Sequence, residues 1–94
     1  MHTPIKTHTN NFFNCIQKIY QFPNNHGARV VRHSGSYGHE QGLWELAVIK
    51  FRTDGRWDLI YDTPITNDVI GYLTEEGVQK LLDQIAALPE TSKF

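Results

Sequence analysis

The chain has almost nothing with which to cross-link itself. Cys15 is the only cysteine among its 94 residues, so no internal disulfide can form and no thiolate-based zinc site can be assembled. A reducing compartment is expected. Long apolar runs are missing as well: none approaches the roughly 20 residues that cross a bilayer as a helix, so no membrane partner is expected. Residues 1–6 lack the apolar stretch of a signal peptide, which points to the cytoplasm. Net charge is scarce, at −1, so no global field steers the protein toward DNA or an anionic surface. That average conceals two unequal halves. Residues 1–56 carry seven Lys/Arg against three Asp/Glu, a balance of +4, and residues 57–94 carry two against seven, a balance of −5. The expected outcome is a domain whose halves neutralise each other on packing.

Motifs that carry chemistry are also lacking. His26, His33, His39 and Glu40 lie in or near two loops, but His33 and His39 stand six apart across a glycine-rich segment, not at ligand spacing on a helix. Ser34 and Ser36 are not set in a Gly-x-Ser-x-Gly elbow between a strand and a helix. Gly35, Gly38 and Gly42 resemble a phosphate loop by glycine content only; no Gly-Lys-Ser/Thr follows, and the segment leads into a strand. Asp62, Thr63, Thr66, Asn67 and Asp68 lack the spacing and closing glutamate of a calcium loop, and read as turn and cap residues. Cys15, between Phe13 and Ile16, reads as a buried, inert thiol. No catalytic residue, cofactor or metal is expected, and the chain reads as non-enzymatic.

What is present is a folding composition, 39% hydrophobic and 12% aromatic, in a length that suits one domain. Residues 1–11 are polar and read as a loose arm; 12–16 are apolar, with strand or helix left open. Residues 17–22 are rich in β-formers and end at Pro23. The run Pro23-Asn24-Asn25-His26-Gly27 has turn chemistry, and 28–33 returns as a strand, so a hairpin with a five-residue connection is expected. Residues 34–42 form a loop with Tyr37 at its tip. Residues 43–51 are apolar in both alternation classes, Leu43, Ala47, Ile49 and Phe51 on one side and Trp44, Leu46 and Val48 on the other. Such a strand is central and covered on both sides. Asp54-Gly55 signals a two-residue type I′ turn into a strand over 57–61. Asn67 is placed to cap a short helical turn over 68–70, which Gly71 ends. Thr74 is the N-cap expected for a helix over 74–88, with Glu75 and Glu76 facing its positive end. Val78, Leu81, Leu82, Ile85 and Leu88 make its apolar stripe. The expectation is an α+β fold: a four-stranded antiparallel meander over 17–62 with the C-terminal helix on one face. The second face of the 43–51 strand would then need a cover, either residues 12–17 or a second copy of the chain, with a symmetric dimer slightly favoured.

From about residue 18 to residue 89 the chain resembles a set of short uncharacterised bacteriophage and prophage proteins. The residues that carry the likeness are Tyr20-Gln21-Phe22-Pro23-Asn24, Gly27-Ala28-Arg29-Val30-Val31-Arg32, Ser36-Tyr37-Gly38, Gly42-Leu43-Trp44-Glu45-Leu46-Ala47-Val48 and the stretch from Tyr61-Asp62-Thr63-Pro64 through Gly71-Tyr72-Leu73-Thr74. The chain departs from that pattern at Asn25-His26, where Gly-Tyr is expected, and over residues 1–17. The resemblance implies a phage-type reading frame expressed in a bacterial cell. It implies no activity.

Size, missing motifs and resemblance together lead to a small accessory protein that acts by binding a host or phage protein, as in modulating a host process or defence system. The expected contact residues are Tyr37, His39, Arg29, Arg32, Trp44 and Arg56. The alternative is a nucleic-acid-binding module. Arg29, Arg32, Lys50, Arg52 and Arg56 fall on the strands near Tyr20, Trp44 and Trp57, and a sheet face of that kind can stack bases and hold phosphates. It requires Arg29, Arg32 and Arg56 to share one exposed face.

Overall fold

The apolar run at 43–51 forms the strand about which everything else is arranged. The computed structural model describes residues 2–10, 15–32, 42–66 and 68–89. In chain order the elements are β1 (Lys6–Asn10), β2 (Cys15–Gln21), β3 (His26–Arg32), β4 (Trp44–Phe51), β5 (Trp57–Leu59), β6 (Ile70–Leu73) and α1 (Glu75–Ala86). The strands make one antiparallel sheet in the order β1-β2-β3-β4-β5, with β6 also paired to β4. The α+β architecture and the C-terminal helix are as expected, but among the described residues the sheet has six strands, not four.

Both additional strands come from segments read otherwise. Residues 6–10 belong to the expected loose arm, yet they pair with β2 from Lys6 opposite Ile19 to Asn10 opposite Cys15. β1 lies at the sheet edge with Lys6, Thr7, His8 and Thr9 exposed. An edge strand in water needs no apolar face, so it carries none of the patterning by which strands are read. Ahead of it, His2 is tied to the helix: its backbone N–H donates to Gln79 Oε1 (2.9 Å) and its ring lies 2.6 Å from Asp83 Oδ1. The ring also meets Phe22 edge-on at 5.0 Å. β6 replaces the expected helical turn at 68–70. β5 occupies only the Ile49–Phe51 part of the free edge of β4, leaving the backbone groups around Trp44 and Leu46 in need of partners. β6 supplies them, with Leu73 opposite Trp44 and Ile70 opposite Leu46. Asn67, expected as a cap, lies outside the described residues.

The two tight hairpins use the same device. Phe22 N–H donates to His26 O (2.9 Å) and Asn25 N–H to Phe22 O (3.2 Å), with Asn25 at φ 67°. Likewise Arg52 N–H donates to Arg56 O (2.7 Å) and Gly55 N–H to Arg52 O (3.1 Å), with Gly55 at φ 86°. Each is a three-residue loop closed by a left-handed residue. The expected type I′ turn needs positive φ at two adjacent residues, and Gly55 alone has it, Asp54 does not. The expected five-residue connection shortens because His26 and Gly27 already belong to β3. Gly27 serves a different purpose from turn flexibility: a Cβ there would stand 2.0 Å from the Tyr20 carbonyl oxygen and 2.8 Å from the Phe51 ring.

The helix begins as its sequence dictates, with Thr74 Oγ1 accepting the Gly77 N–H at 3.0 Å and Glu75 and Glu76 in the first turn. Its stripe is buried at Val78, Leu82 and Ile85 and half-buried at Leu81. It packs on the class of β4 side chains containing Trp44, Leu46 and Val48, joined by Tyr20, Phe22, Ala28 and Val30. The opposite class is buried too, at Ala47, Ile49 and Phe51, together with Ile19 and Val31. Both faces of β4 are therefore buried within one chain, and the uncovered patch that argued for a symmetric dimer is not there. Cys15, expected to be buried, is half-buried. Among the described residues no helix is long and apolar enough to cross a membrane.

Candidate functional site

Of the six expected contact residues, Tyr37 and His39 lie outside the described residues. The other four are engaged inside the protein. Arg32 and Trp44 come together on the helix side of the sheet: the Arg32 guanidinium carbon is 4.4 Å from the Trp44 ring centre and Lys18 Nζ is 4.6 Å from it. Trp44 Nε1 donates to Glu75 Oε1 at 2.8 Å, and Arg32 Nη1 donates to the Gly42 carbonyl at 2.9 Å. The group closes one end of the core with two cations on one indole, balanced by Glu75. Burial, with the Glu75 charge adding to it, pushes the nearby Tyr20 hydroxyl above its ordinary pKa. Arg29 is not part of this group. It sits opposite Ala47 in the register, on the other face, where its Nε donates to Gln17 Oε1 (3.0 Å). Arg56 is in the β4–β5 hairpin, with Nε on Asp54 Oδ2 (2.7 Å). Arg29 and Arg32 lie on opposite faces of the sheet, so the three arginines do not share the one face a nucleic-acid sheet requires.

The exposed apolar side chains lie elsewhere. Leu59 (41% exposed), Tyr61 (45%) and Tyr72 (62%) stand along the margin formed by β5 and β6. Leu59 stands opposite Ile49 in the register and so faces away from the helix-side core into which Ile60 packs. Tyr72 falls in an irregularity of the ladder, where the step from Leu73 to Ile70 is matched by only the step from Trp44 to Leu46. Its φ is 59°, a left-handed backbone on a bulky residue. Between β5 and β6 the chain is held by hydroxyls: Thr63 Oγ1 donates to Thr66 O (3.2 Å), and Thr66 Oγ1 accepts the Asp68 N–H (3.0 Å) and donates to Asp68 O (2.7 Å). Thr63, Thr66 and Asp68 of the polar cluster thus form local side-chain turns.

A cleft of about 390 Å³ opens at the C-terminal end of the helix. Its polar side is His26, Lys50, Asp62 and Thr63, and its apolar wall is Ile60, Pro64, Leu88 and Pro89. Asn24 builds it. The Asn24 Nδ2 donates to the carbonyls of Ile85 (2.8 Å), Ala86 (3.3 Å) and Leu88 (2.9 Å), while its Oδ1 accepts the His26 N–H (3.0 Å). One amide therefore caps carbonyls at the helix end, of which that of Ile85 also accepts the Leu88 N–H, and fixes the β2–β3 turn against them. His26 and Lys50 are directly opposed on β3 and β4. His26 is only 5% exposed, and its Nδ1 has no hydrogen-bond partner among the described residues. Burial pushes its pKa below the ordinary value and Lys50 adds to that, while the Asn24 contact and Asp62 oppose it. Among the described residues no three His, Cys, Asp or Glu side chains gather as a metal site.

Neither this cleft nor the β5–β6 margin carries a local sequence signal: His26 falls in a stretch of turn composition, and Tyr61 and Tyr72 carry no pattern that separates them from core aromatics. The one visible signal was Asn24-Asn25 after Pro23, which marks a turn but not the helix end that the turn grips. No protein-family model, curated protein or solved structure matches the chain.

Proposed function

We propose that the protein is a non-enzymatic binding module that works by occupying a surface of another protein, and that the β5–β6 margin makes the contact. The supporting observation is Tyr72, which is 62% exposed and held at φ 59°. A left-handed backbone costs a residue with a Cβ about 1–2 kcal/mol, and glycine or asparagine would meet the same geometry more cheaply. Backbone strain beneath an exposed aromatic is the mark of a side chain kept for contact. Leu59 and Tyr61 extend the same margin with apolar area. Tyrosine is favoured at interfaces because its ring gains from burial while its hydroxyl keeps a polar partner. The resemblance to phage and prophage proteins is the ground for seeking the partner among host or phage proteins, in a bacterial cytoplasm.

The test compares capture from a bacterial lysate by the wild type and by Tyr72→Asn and Tyr61→Ser. A saturable partner held by the wild type and lost from both variants is expected. Unchanged circular dichroism should show that both variants fold, asparagine being tolerant of the left-handed region. A partner retained at full strength by both folded variants, or no specific partner at all, contradicts the reading.

A further inference from the structure

We propose that the partner of the β5–β6 margin presents a basic surface, with lysine and arginine side chains set around an apolar patch. The inference rests on the reading of the margin as a docking surface and adds the chemistry of what docks there. It starts from charge along the chain. Residues 57–79 supply β5, β6, the segment between them and the start of α1. They hold five carboxylates, Asp58, Asp62, Asp68, Glu75 and Glu76, and no lysine, arginine or histidine. The acids follow the exposed rings: Asp62 is next to Tyr61 in the chain, and Tyr72 falls between Asp68 and Glu75. Asp62, Asp68, Glu75 and Glu76 are all exposed.

Part of this charge is used within the protein. Asp58 takes the Arg52 fork at 2.7 and 2.9 Å and lies opposite Lys50. Glu75 accepts the Trp44 Nε1–H at 2.8 Å. Glu76 meets Lys80 at 3.4 Å in a pair exposed on both sides, the kind that contributes little. Asp62 and Asp68 make no ion pair among the described residues. Asp68 is also held in place, because its Oδ1 accepts the Val69 N–H at 2.7 Å. Five carboxylates against Lys50, Arg52 and Lys80 leave an excess of two negative charges. Neighbouring residues such as Tyr61 and Asp62 have Cα atoms about 3.8 Å apart, well inside the screening length of about 8–10 Å. A phosphate backbone or an acidic protein face meets repulsion here, as does the margin of a second copy in a twofold pairing, which sets acid against acid. A basic surface is attracted at its charged rim while Leu59, Tyr61 and Tyr72 meet its apolar centre.

Fluorescence anisotropy of the intact protein with three labelled peptides tests this. They alternate lysine with leucine, glutamine with leucine, and glutamate with leucine. The lysine peptide should bind about threefold or more tightly than the glutamine peptide, as for two exposed ion pairs, and the glutamate peptide most weakly. That preference should shrink between about 50 and 300 mM salt. Asp62→Asn combined with Asp68→Asn should remove it without weakening the glutamine peptide. Tyr72→Asn should weaken the lysine and glutamine peptides alike, with unchanged circular dichroism showing that both variants fold. Equal affinities for those two peptides, a preference that survives in the aspartate double variant, or no binding of the lysine peptide at millimolar concentration overturns the basic partner. Each leaves docking at the margin to be judged by the lysate capture. Binding that Tyr72→Asn leaves untouched contradicts docking at the margin itself, and the basic partner with it. A mass above 10.8 kDa in light scattering that the double variant lowers assigns the acids to the basic half of another copy, and also overturns the proposal.

Discussion

Asn24 joins the β2–β3 turn to the end of the helix. Its amide donates to three carbonyls at the helix end and its oxygen holds the β2–β3 turn, all from a buried position. Asn24→Ala would take that donor from the Ala86 and Leu88 carbonyls, while the Ile85 carbonyl keeps the Leu88 N–H, and should lower stability by about 1–3 kcal/mol, read as a shifted urea midpoint. Asn24→Asp should be no better. A carboxylate accepts as the amide oxygen does but donates nothing, and it meets the negative end of the helix. His26, two residues on, makes stability depend on pH. Its folded-state pKa is depressed, by burial first. As pH falls below about 6.5, the ordinary histidine value, the unfolded chain takes up a proton that the folded one resists, so stability is full above that pH and falls on acidification. Lys50 works in the same direction, whereas Asp62 and the Asn24 contact lessen the effect. Denaturation midpoints of His26→Gln should change less than those of the wild type between about pH 7 and 5. Identical profiles would show that the imidazole is not held neutral.

Among the elements, α1 rests on Leu82, which is 0% exposed at the centre of the helix–sheet contact. Leu82→Ala should cost about 2–5 kcal/mol, a large share of ordinary domain stability, measured by the same urea titration. A loss under about 1 kcal/mol would mean that the helix is not docked as described. This helix, β4 and the two hairpins were legible in the sequence because their signals are local: an apolar stripe, an unbroken apolar run, turn residues at fixed places. β1 and β6 were not. The residues of β1 bury little and so carry no hydrophobic period, and β6 forms because β5 stops short on a neighbour distant in sequence. The turn at Asp54-Gly55 was found but mistyped, since the dipeptide suits the two-residue loop and the three-residue loop alike. The cleft was illegible for a related reason. Its lining comes from β3, β4, the 60–64 segment and residues 88–89, and no local motif spans them. Of the expected contacts, Arg32 and Trp44 close one end of the core, whereas Arg29 and Arg56 make contacts at the surface of the chain.

At the scale of the whole molecule, ion pairs form both across the basic and acidic halves and within them, as in Arg56 with Asp54 and Lys80 with Glu76. Arg52 holds Asp58 in a two-bond fork (2.7 and 2.9 Å), and His2 reaches Asp83. Among the described residues, the apolar surface left over lies mainly at the β5–β6 margin, with Ile5 the other large exposed hydrophobic residue. That distribution underlies the central claim, that the margin is where another protein docks. Amide hydrogen exchange, followed with and without a saturating amount of the captured partner, tests it most directly. The account predicts slowed exchange over residues 57–61 and 70–73, with β1 and the Trp44 cluster unchanged. Protection confined to β1, or to the Lys18, Arg32 and Trp44 group, with none at Tyr61 and Tyr72, would contradict it.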